Sequence, residues 1–293
     1  MDSFRVYSPT DIIAANLRES AERTEALREQ EWAHLCELAE ELTQEKSFSS
    51  LLSSLPDHRL PHGSVRLCQA IAAKLSAQKS FPVGAFFADA EALTEDSPDA
   101  NRIIYQKSGY TDEAYLSLST LLENPQAHYA HSFHASCEAV YNGEYEYCIL
   151  PVESTAEGEL GTFSRLIERY DLKIAASCEI YAGASARTTR FSLLRRKLLP
   201  ITDAPGATYF FECSLPLGSS PTVSEFLGAA QTCGLELYRI NTLPQFGSEP
   251  SLAAHAVFVT DNAELRAFLL YLAMEAPHYT PIGFYPHLTK KGL

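Results

Sequence analysis

The chain has 293 residues, of which 46% are hydrophobic and 20% charged, and its formal net charge is −14. These values are ordinary for a globular protein of two or three domains. A charge this negative, without clusters of Lys and Arg, argues against nucleic acid or a membrane surface as a partner, because both attract basic patches.

Seven cysteines are spread along the chain, odd in number and without a Cys-x-x-Cys pair. Most lie in apolar runs, which is typical of buried thiols in a reducing compartment. No apolar run approaches the roughly 18 residues that a membrane-spanning helix needs, and no basic-plus-apolar leader opens the sequence. We therefore expect a cytoplasmic protein, and we expect no cofactor and no bound metal.

Residues 1–82 are predicted to form a helical module. Ser8 and Pro9 suit the N-cap and the first position of a long helix, and apolar residues then recur at mostly three- and four-residue steps. The recurring residues are Ile13, Leu17, Leu27, Trp32, Leu35, Leu38, Ala39 and Leu42. A second helix is predicted at about residues 64–78, which makes the module an antiparallel helical pair or a dimerisation arm.

The middle segment, about residues 100–199, alternates predicted strands and helices, which favours a parallel α/β lobe. Its third strand runs into Pro151-Val-Glu-Ser-Thr-Ala-Glu-Gly158. Glu153, Ser154 and Thr155 then follow the carboxyl end of a parallel strand, where open α/β sheets bind ligands. The alternative is a helix N-cap turn without a ligand.

Two further strands are predicted at residues 172–180 and 189–194, and the second opens with Thr189-Arg190-Phe191. The connection between them is rich in Gly, Ala and Ser, so an antiparallel hairpin is the simplest closure. We expect Phe191 in the core.

Residues 205–288 are predicted to form strand, helix, strand, strand, helix and strand, which is the ferredoxin-like order. The predicted strands cover residues 207–214, 235–242, 253–260 and 281–285. The two helices cover residues 222–233 and 263–274.

The turn at residues 151–158, the Thr189-Arg190-Phe191 strand and the trailing ferredoxin-like order together resemble prephenate dehydratases that end in an ACT domain. In that family nearly a whole second lobe lies between the two motifs. Here residues 159–188 alone separate them, and a single βαβ unit takes roughly 30 or more residues. The resemblance implies an α/β and α+β fold: a periplasmic-binding-protein-like lobe, a hairpin remnant of the second lobe, and a ferredoxin-like ACT domain.

The resemblance also implies roles for individual residues. Thr189 stands at the family's catalytic position. The residues that stand at substrate-binding positions are Glu153, Ser154, Thr155 and Arg190. The residues that stand at the allosteric, phenylalanine-sensing positions are Thr222, Val223, Asn241 and Thr242.

On this resemblance we expect a prephenate dehydratase-related protein of phenylalanine metabolism that senses a ligand and is non-catalytic or weakly catalytic. Its ligand would be a small aromatic or dicarboxylate molecule, either prephenate or phenylalanine. The alternative is an active dehydratase that converts prephenate to phenylpyruvate, with its cleft completed by the amino-terminal helices or by another subunit. Because ACT domains pair between subunits, a homo-oligomer is expected in both cases.

The helical module is similar to the chorismate mutase domain of bifunctional chorismate mutase/prephenate dehydratases. Arg18, Arg66 and Gln78 are the residues that match its pocket. Each of them also suits a solvated helix position, which is the alternative interpretation.

Four potential metal ligands recur every three residues: His128, His131, His134 and Cys137. A change from strand to helix at Ser132 is predicted to keep these side chains from converging, since strands alternate faces and helices do not.

Overall fold

The computed structural model describes residues 9–44, 47–61, 63–77, 83–87, 101–181, 187–201, 204–218, 220–245 and 251–289. Ser8 and Gln78, to which roles were assigned from the sequence, lie outside the described residues. Among those described, no helix combines the length and the apolar character needed to cross a membrane.

Eight α-helices are described. They are α1 (Pro9–Thr43), α2 (Phe48–Ser54), α3 (Ser64–Ala77), α4 (Gly109–Leu118), α5 (Phe133–Tyr141), α6 (Gly161–Arg169), α7 (Val223–Thr232) and α8 (Asn262–Glu275). Short 3-10 helices cover Leu55–His58, Val83–Phe86 and Ser119–Leu121. Side-chain caps explain several starts: Ser132 accepts from the Ala135 N–H ahead of α5, and Thr222 forms a capping box with Glu225 ahead of α7.

Ten strands join in one mixed sheet. They are β1 (Arg102–Gln106), β2 (Gln126–Ala130), β3 (Tyr147–Ser154), β4 (Gly158–Glu159), β5 (Lys173–Tyr181), β6 (Thr188–Arg195), β7 (Thr208–Pro216), β8 (Glu236–Gln245), β9 (Ser251–Thr260) and β10 (Thr280–Leu288). The strand order is β2-β1-β3-β6-β5-β10-β7-β9-β8, with β4 paired to β3.

The first sheet half, β1 to β6, has the predicted α/β character. Strands β1, β2 and β3 are parallel, and α4 and α5 connect them. Strands β5 and β6 form the predicted antiparallel pair, and β6 also pairs antiparallel with β3. The predicted alternation of strands and helices and the predicted antiparallel pair are therefore both present in this half.

The second sheet half, β7 to β10, has the strand order β10-β7-β9-β8 with antiparallel pairing throughout. This is the ferredoxin-like arrangement predicted for residues 205–288, with α7 and α8 as its helices.

The two sheet halves meet where β10 pairs parallel to β5. The register shifts between Gly283, opposite Ile174, and His287, opposite Ser177. At Gly283 the strands approach so closely that an added Cβ would lie 2.7 Å from the Ile174 carbonyl oxygen. Only glycine fits this position without displacing backbone, so Gly283 is what allows the halves to join.

The helices of the second half cover one face of its sheet. Phe211 of β7 and Phe258 of β9 point to this face and pack with Phe226 of α7 and Phe268 of α8. The described residues of the amino-terminal module extend the same core, with Leu35 and Leu67 among those buried. The module therefore lies on the helical side of the second half.

The opposite face of β7, β9 and β10 is covered by the first half. Because side chains alternate along a strand, Phe210, Val257 and Tyr285 point to this face, where they pack with residues of β3, α5 and α6. This interface between the halves contains the charged residues described next.

Candidate functional site

The turn after β3 is closed by its own hydroxyl groups. The Ser154 hydroxyl accepts a hydrogen bond from the Ala156 N–H at 3.2 Å. The Thr155 hydroxyl accepts from the Thr188 N–H at 2.9 Å, and the Thr155 N–H donates to the Thr188 carbonyl at 3.0 Å. The Ser154 and Thr155 side chains, both predicted to bind substrate, are thus bonded within the turn and the adjacent strand. The alternative, a helix N-cap turn, is not observed, because the residue that precedes α6 is Leu160 and it forms no side-chain cap.

Strand β6 brings the two motifs together. Arg190 lies opposite Glu153 of β3, and Thr189 lies opposite Ser154. The Arg190 Nη2 atom is 3.1 Å from Glu153 Oε2, and the Arg190 side chain is only 4% exposed. Phe191 is buried in the core as predicted. The two charged motif residues are therefore paired with each other, with Arg190 buried and the Glu153 side chain 20% exposed.

A second arginine from the other sheet half completes this pair. Arg239 of β8 places Nη1 3.0 Å from the same Glu153 oxygen and Nη2 3.8 Å from Glu159 Oε2. The Arg190 guanidinium lies 5.9 Å from the ring centres of Phe210 and Tyr238. These rings add a favourable cation–π contribution to the ion pair.

Arg190 remains charged in this environment. Burial lowers its pKa, but the surrounding Tyr285, Glu212 and Glu153 outweigh burial and raise the pKa above its ordinary value. Glu153 therefore always faces a positive charge, and an additional anion would have to displace it.

His255 of β9 links the two halves through two carboxylates. Its Nε2 atom is 2.8 Å from Glu212 Oε1, on the neighbouring strand β7, and its Nδ1 atom is 3.3 Å from Glu159 Oε1, on β4. Burial lowers the pKa of His255, but hydrogen bonds and charge from Glu159 and Glu212 raise it to about 9. The imidazole is thus positively charged at neutral pH.

The two carboxylates hold further hydrogen bonds. Glu159 accepts from Ser164 of α6 at 2.6 Å and from Asn241 of β8 at 2.5 Å, and Glu212 accepts from the Tyr285 hydroxyl at 2.5 Å. Burial raises the pKa of both acids, but other groups lower it to about 2 in each case: His255, Ser164 and Asn241 for Glu159, and His255 with the charges of Arg190 and Arg239 for Glu212. We call the six charged residues the junction cluster: Glu153, Glu159, Arg190, Glu212, Arg239 and His255.

A second histidine lies beside the junction cluster where β5 meets β10. His287 Nδ1 is 2.8 Å from the Ser177 hydroxyl, and its ring stacks on Phe210 with centres 4.7 Å apart. Burial, together with the charge of Arg190, lowers the pKa of His287 to about 4. It is therefore neutral at pH 7, unlike His255.

A cavity of about 360 Å³ opens above the junction cluster, between the two halves. The first half contributes residues of β3, β4 and α6, and the second contributes residues of all four of its strands. Its charged lining residues are Glu159, Glu168, Asp171, Lys173, Glu212, Arg239 and His255. Its apolar lining residues are Val152, Ile167, Leu172, Leu243, Pro244, Ala253 and Ile282. Thr189 is not part of this lining.

The four predicted allosteric residues fall into two separate groups. Thr222 and Val223 start α7, where the Thr222 hydroxyl donates to Glu225 at 2.8 Å. Asn241 and Thr242 lie on β8, where Asn241 donates to Glu159 and Thr242 is exposed. The two groups lie on different elements, and their sensing role stays a prediction.

The residues matched to a mutase pocket are also separated. Arg66 of α3 hydrogen-bonds Glu31 and lies 5.8 Å from the Trp32 ring centre, whereas Arg18 is exposed on α1. In the described part of the module, Arg18 and Arg66 do not line a common pocket.

The four potential metal ligands are divided between β2, the residues that follow it, and α5, which begins just after Ser132. His128 packs on Tyr145, His134 bonds the Tyr170 hydroxyl at 3.0 Å, and Cys137 is buried. Across the described ranges, no group of three or more His, Cys, Asp or Glu residues is arranged to hold a metal ion.

Four members of the junction cluster were not predicted from the sequence, namely Glu159, Glu212, Arg239 and His255. A signal for two of them was present, since Glu212 follows Tyr209-Phe-Phe211 and His255 lies among Ala253, Ala254 and Ala256. A charged or titratable residue within a strand that is otherwise apolar requires a buried partner. Which residues become the partners of Glu212 and His255 depends on which strands are neighbours in the sheet.

Comparisons with known proteins place the fold. No protein-family model matches the sequence, and no curated protein matches it. The crystal structure of prephenate dehydratase from Streptococcus mutans matches 64% of this chain and 98% of its own, with a TM-score of 0.51 and 18% identity.

Two other solved structures are similar at lower TM-scores. Prephenate dehydratase from Arthrobacter aurescens in complex with L-Phe matches 63% of this chain and 89% of its own, with a TM-score of 0.47 and 14% identity. GqqA, described as a novel type of quorum quenching acylase, matches 63% of this chain and 94% of its own, with a TM-score of 0.48 and 20% identity. The likeness to the Streptococcus mutans protein shows that this chain has a prephenate dehydratase-like fold.

Proposed function

We propose that this chain is a non-catalytic or weakly catalytic relative of prephenate dehydratase that senses a small ligand in aromatic amino-acid metabolism. One observation carries the proposal: Glu153, whose side chain is 20% exposed, is ion-paired both with the buried Arg190 and with Arg239. A substrate carboxylate would have to displace Glu153 from these arginines and leave its carboxylate without a positive partner, which is unfavourable for a charge that is largely shielded from water.

The surroundings of Thr189 also support this proposal. Dehydration of prephenate requires a group that protonates or hydrogen-bonds the leaving hydroxyl in a site that excludes water. Thr189 is half-buried between Ser154 and Ile180 in the sheet and does not line the cavity of the junction. Ser154 and Thr155, the nearest polar groups of the turn, are bonded locally.

The alternative is an active dehydratase whose cleft is completed from elsewhere. The described part of the amino-terminal module packs on α8, through residues such as Leu67 and Ile71 of α3. This is the helical side of the second half, so completion by these helices is disfavoured. A second subunit would be needed instead.

We also propose that the protein is a homo-oligomer in the cytoplasm and that its second half acts as an ACT-like sensor. Residues Ile13, Leu17 and Leu27 of α1 are each 60–66% exposed. They belong to the apolar stripe of α1, which was predicted to pack against a partner helix. An exposed stripe of this kind supports self-association.

The test is phenylpyruvate formation from prephenate by the purified protein, with Thr189→Ala as the control variant. The proposal predicts that both proteins convert prephenate no faster than buffer, or slowly and at equal rates. Turnover by the wild-type protein that disappears in Thr189→Ala would overturn it and establish the dehydratase alternative.

A further inference from the structure

The first part of α1 extends beyond the helices that pack on it. Every residue from 13 to 34 is exposed, and burial of the helix begins at Leu35. The contacts of α3 begin near Arg66, which bonds the Glu31 carboxylate and the Arg28 carbonyl. The part of α1 ahead of Arg28, about 28 Å long, therefore lies outside the described packing of the module.

This exposed part carries the same apolar stripe that is buried further along the helix. Leu27, Leu35 and Leu42 follow each other at eight and seven residues, so they lie on one face of α1. Leu35 and Leu42 are buried in the core that α3 shares, whereas Leu27 is 66% exposed. Among the described residues, α3 thus covers the apolar face of α1 along only part of its length.

The spacing of the exposed stripe is that of a helix that pairs with another helix. Ile13, Leu17, Ser20, Thr24 and Leu27 recur at alternating steps of four and three residues. This alternation keeps one seam of side chains directed at a single partner helix. The seam has apolar residues towards both ends and small hydroxyl residues at its centre, so a good partner has the same distribution.

The charges along α1 favour a second copy of this chain as that partner. Residues 13–28 contain three Arg and three Glu, so two such segments do not repel each other and their mixed signs suit helix pairing. A helix that lies on a membrane is typically rich in Lys and Arg on its polar face, and this segment has no such excess.

The rest of the stripe determines the orientation of the two copies. Residues 29–43 contain five Glu and neither Lys nor Arg. A parallel partner would align these acidic segments side by side, at the point where α3 already covers the face around Leu35. An antiparallel partner places the two acidic segments at opposite ends of the pair, so both obstacles are avoided.

The register follows from matching the ends of the seam. With the two-fold axis near residue 22, Leu17 packs on Leu27 of the partner subunit, and Ser20 lies opposite Thr24 of the partner subunit. Because the axis is two-fold, each of these contacts occurs twice.

We propose that two copies of this chain pair through residues 13–28 of α1 as an antiparallel helix pair. The apolar seam forms the centre of the interface, and the two folded bodies lie at its opposite ends. This inference rests on the proposed homo-oligomer and adds to it the surface, the orientation and the register.

The first experiment is sedimentation equilibrium of the full chain at micromolar concentrations. Leu17→Glu and Leu27→Glu should each raise the dimer dissociation constant by at least about 100-fold, because the substitution places a charge in the seam twice. Ala15→Glu is the matched control, since Ala15 is exposed and lies about 160° around the helix from Leu17. It should leave the dissociation constant unchanged.

The second experiment tests the orientation by thiol cross-linking with a short bis-maleimide. It uses a Cys36→Ser background, because the other six cysteines are buried. In the antiparallel pair the two copies of residue 20 are about 6 Å apart along the axis, and those of residue 10 are about 36 Å apart. Ser20→Cys should therefore form a cross-linked dimer, and Thr10→Cys should not. Cross-linking of both variants would overturn the antiparallel orientation.

The remaining outcomes separate this inference from the proposals on which it rests. A dimer that persists in Leu17→Glu and Leu27→Glu, or that Ala15→Glu weakens equally, would overturn the assigned surface and leave the homo-oligomer in place. A monomeric wild-type protein would mean that something other than a second copy covers the stripe, and would overturn both. Dehydratase turnover lost in Thr189→Ala bears on the proposed function alone.

Discussion

His255 Nε2 lies 2.8 Å from Glu212 Oε1, and the Nδ1 atom of the same ring lies 3.3 Å from Glu159. Glu159 belongs to the first sheet half, and His255 and Glu212 belong to the second. The buried imidazolium of His255 therefore joins the two parts of the sheet and neutralises the charge of one carboxylate from each. The stability of the junction should depend on this residue more than on any surface ion pair, because removing one partner leaves buried charge uncompensated.

Replacement of His255 by Gln should destabilise the protein by about 3–5 kcal/mol, since two buried carboxylates would lose their positive partner. The free energy of unfolding, from urea titration at pH 6.5, measures this. His278→Gln is the matched control, because His278 is exposed, and it should change stability by less than about 0.5 kcal/mol. Equal effects of the two substitutions would contradict the structural role of His255.

Stability should reach its maximum near pH 6.5. The pKa of His255 is raised from 6.5 to about 9, so its contribution is complete below 6.5 and is lost as the pH rises through 9. The pKa of His287 is lowered from 6.5 to about 4, so its contribution is lost as the pH falls through this interval. Below pH 4.5, stability falls further as Glu159 and Glu212, with pKa values of about 2, begin to bind protons in the unfolded chain.

Urea midpoints measured between pH 3 and pH 10 test this profile. In His255→Gln the decline above pH 6.5 should become shallower, and in His287→Gln the decline between pH 6.5 and pH 4.5 should become shallower. If both variants keep the wild-type profile, the assignment of the two histidines is wrong.

Gly283→Ala should destabilise the junction by about 1–3 kcal/mol, because the new Cβ would lie 2.7 Å from the Ile174 carbonyl oxygen and the strands would have to separate. Gly228→Ala serves as the control. Gly228 lies within α7 with no atom within 4 Å of an added Cβ, so this change should stabilise by about 0.5–1 kcal/mol. Thermal unfolding of the two variants should thus shift in opposite directions, and a shift in the same direction would contradict the close contact.

Much of the fold is encoded locally and was predictable. The capping residues Ser132 and Thr222 mark helix starts, and the alternation of apolar residues marks the strands of both halves. The pairing of β5 with β6 follows from the short connection between these two strands. These features depend on residues that are near each other in sequence.

The junction was not predictable in the same way. The contact of Glu153 with Arg239, and that of Glu159 with His255, require β10 to pair with β5, and nothing near these residues in sequence specifies this pairing. It depends on the close approach at Gly283, between strands far apart in the chain. Arg190 was predicted to bind substrate. The motif alone does not reveal that a second arginine, Arg239, contacts the same Glu153 carboxylate.

We propose that Glu153 and Arg190, the charged residues of the two motifs, hold the structure together and do not hold a substrate. A double-mutant cycle with Glu153→Gln, Arg190→Gln and the double variant measures this most directly, by urea unfolding with prephenate turnover recorded in parallel. We predict a coupling energy of at least about 1 kcal/mol and no turnover by any of the four proteins. Additive effects within about 0.3 kcal/mol, with wild-type turnover that disappears in a folded Arg190→Gln variant, would contradict the account.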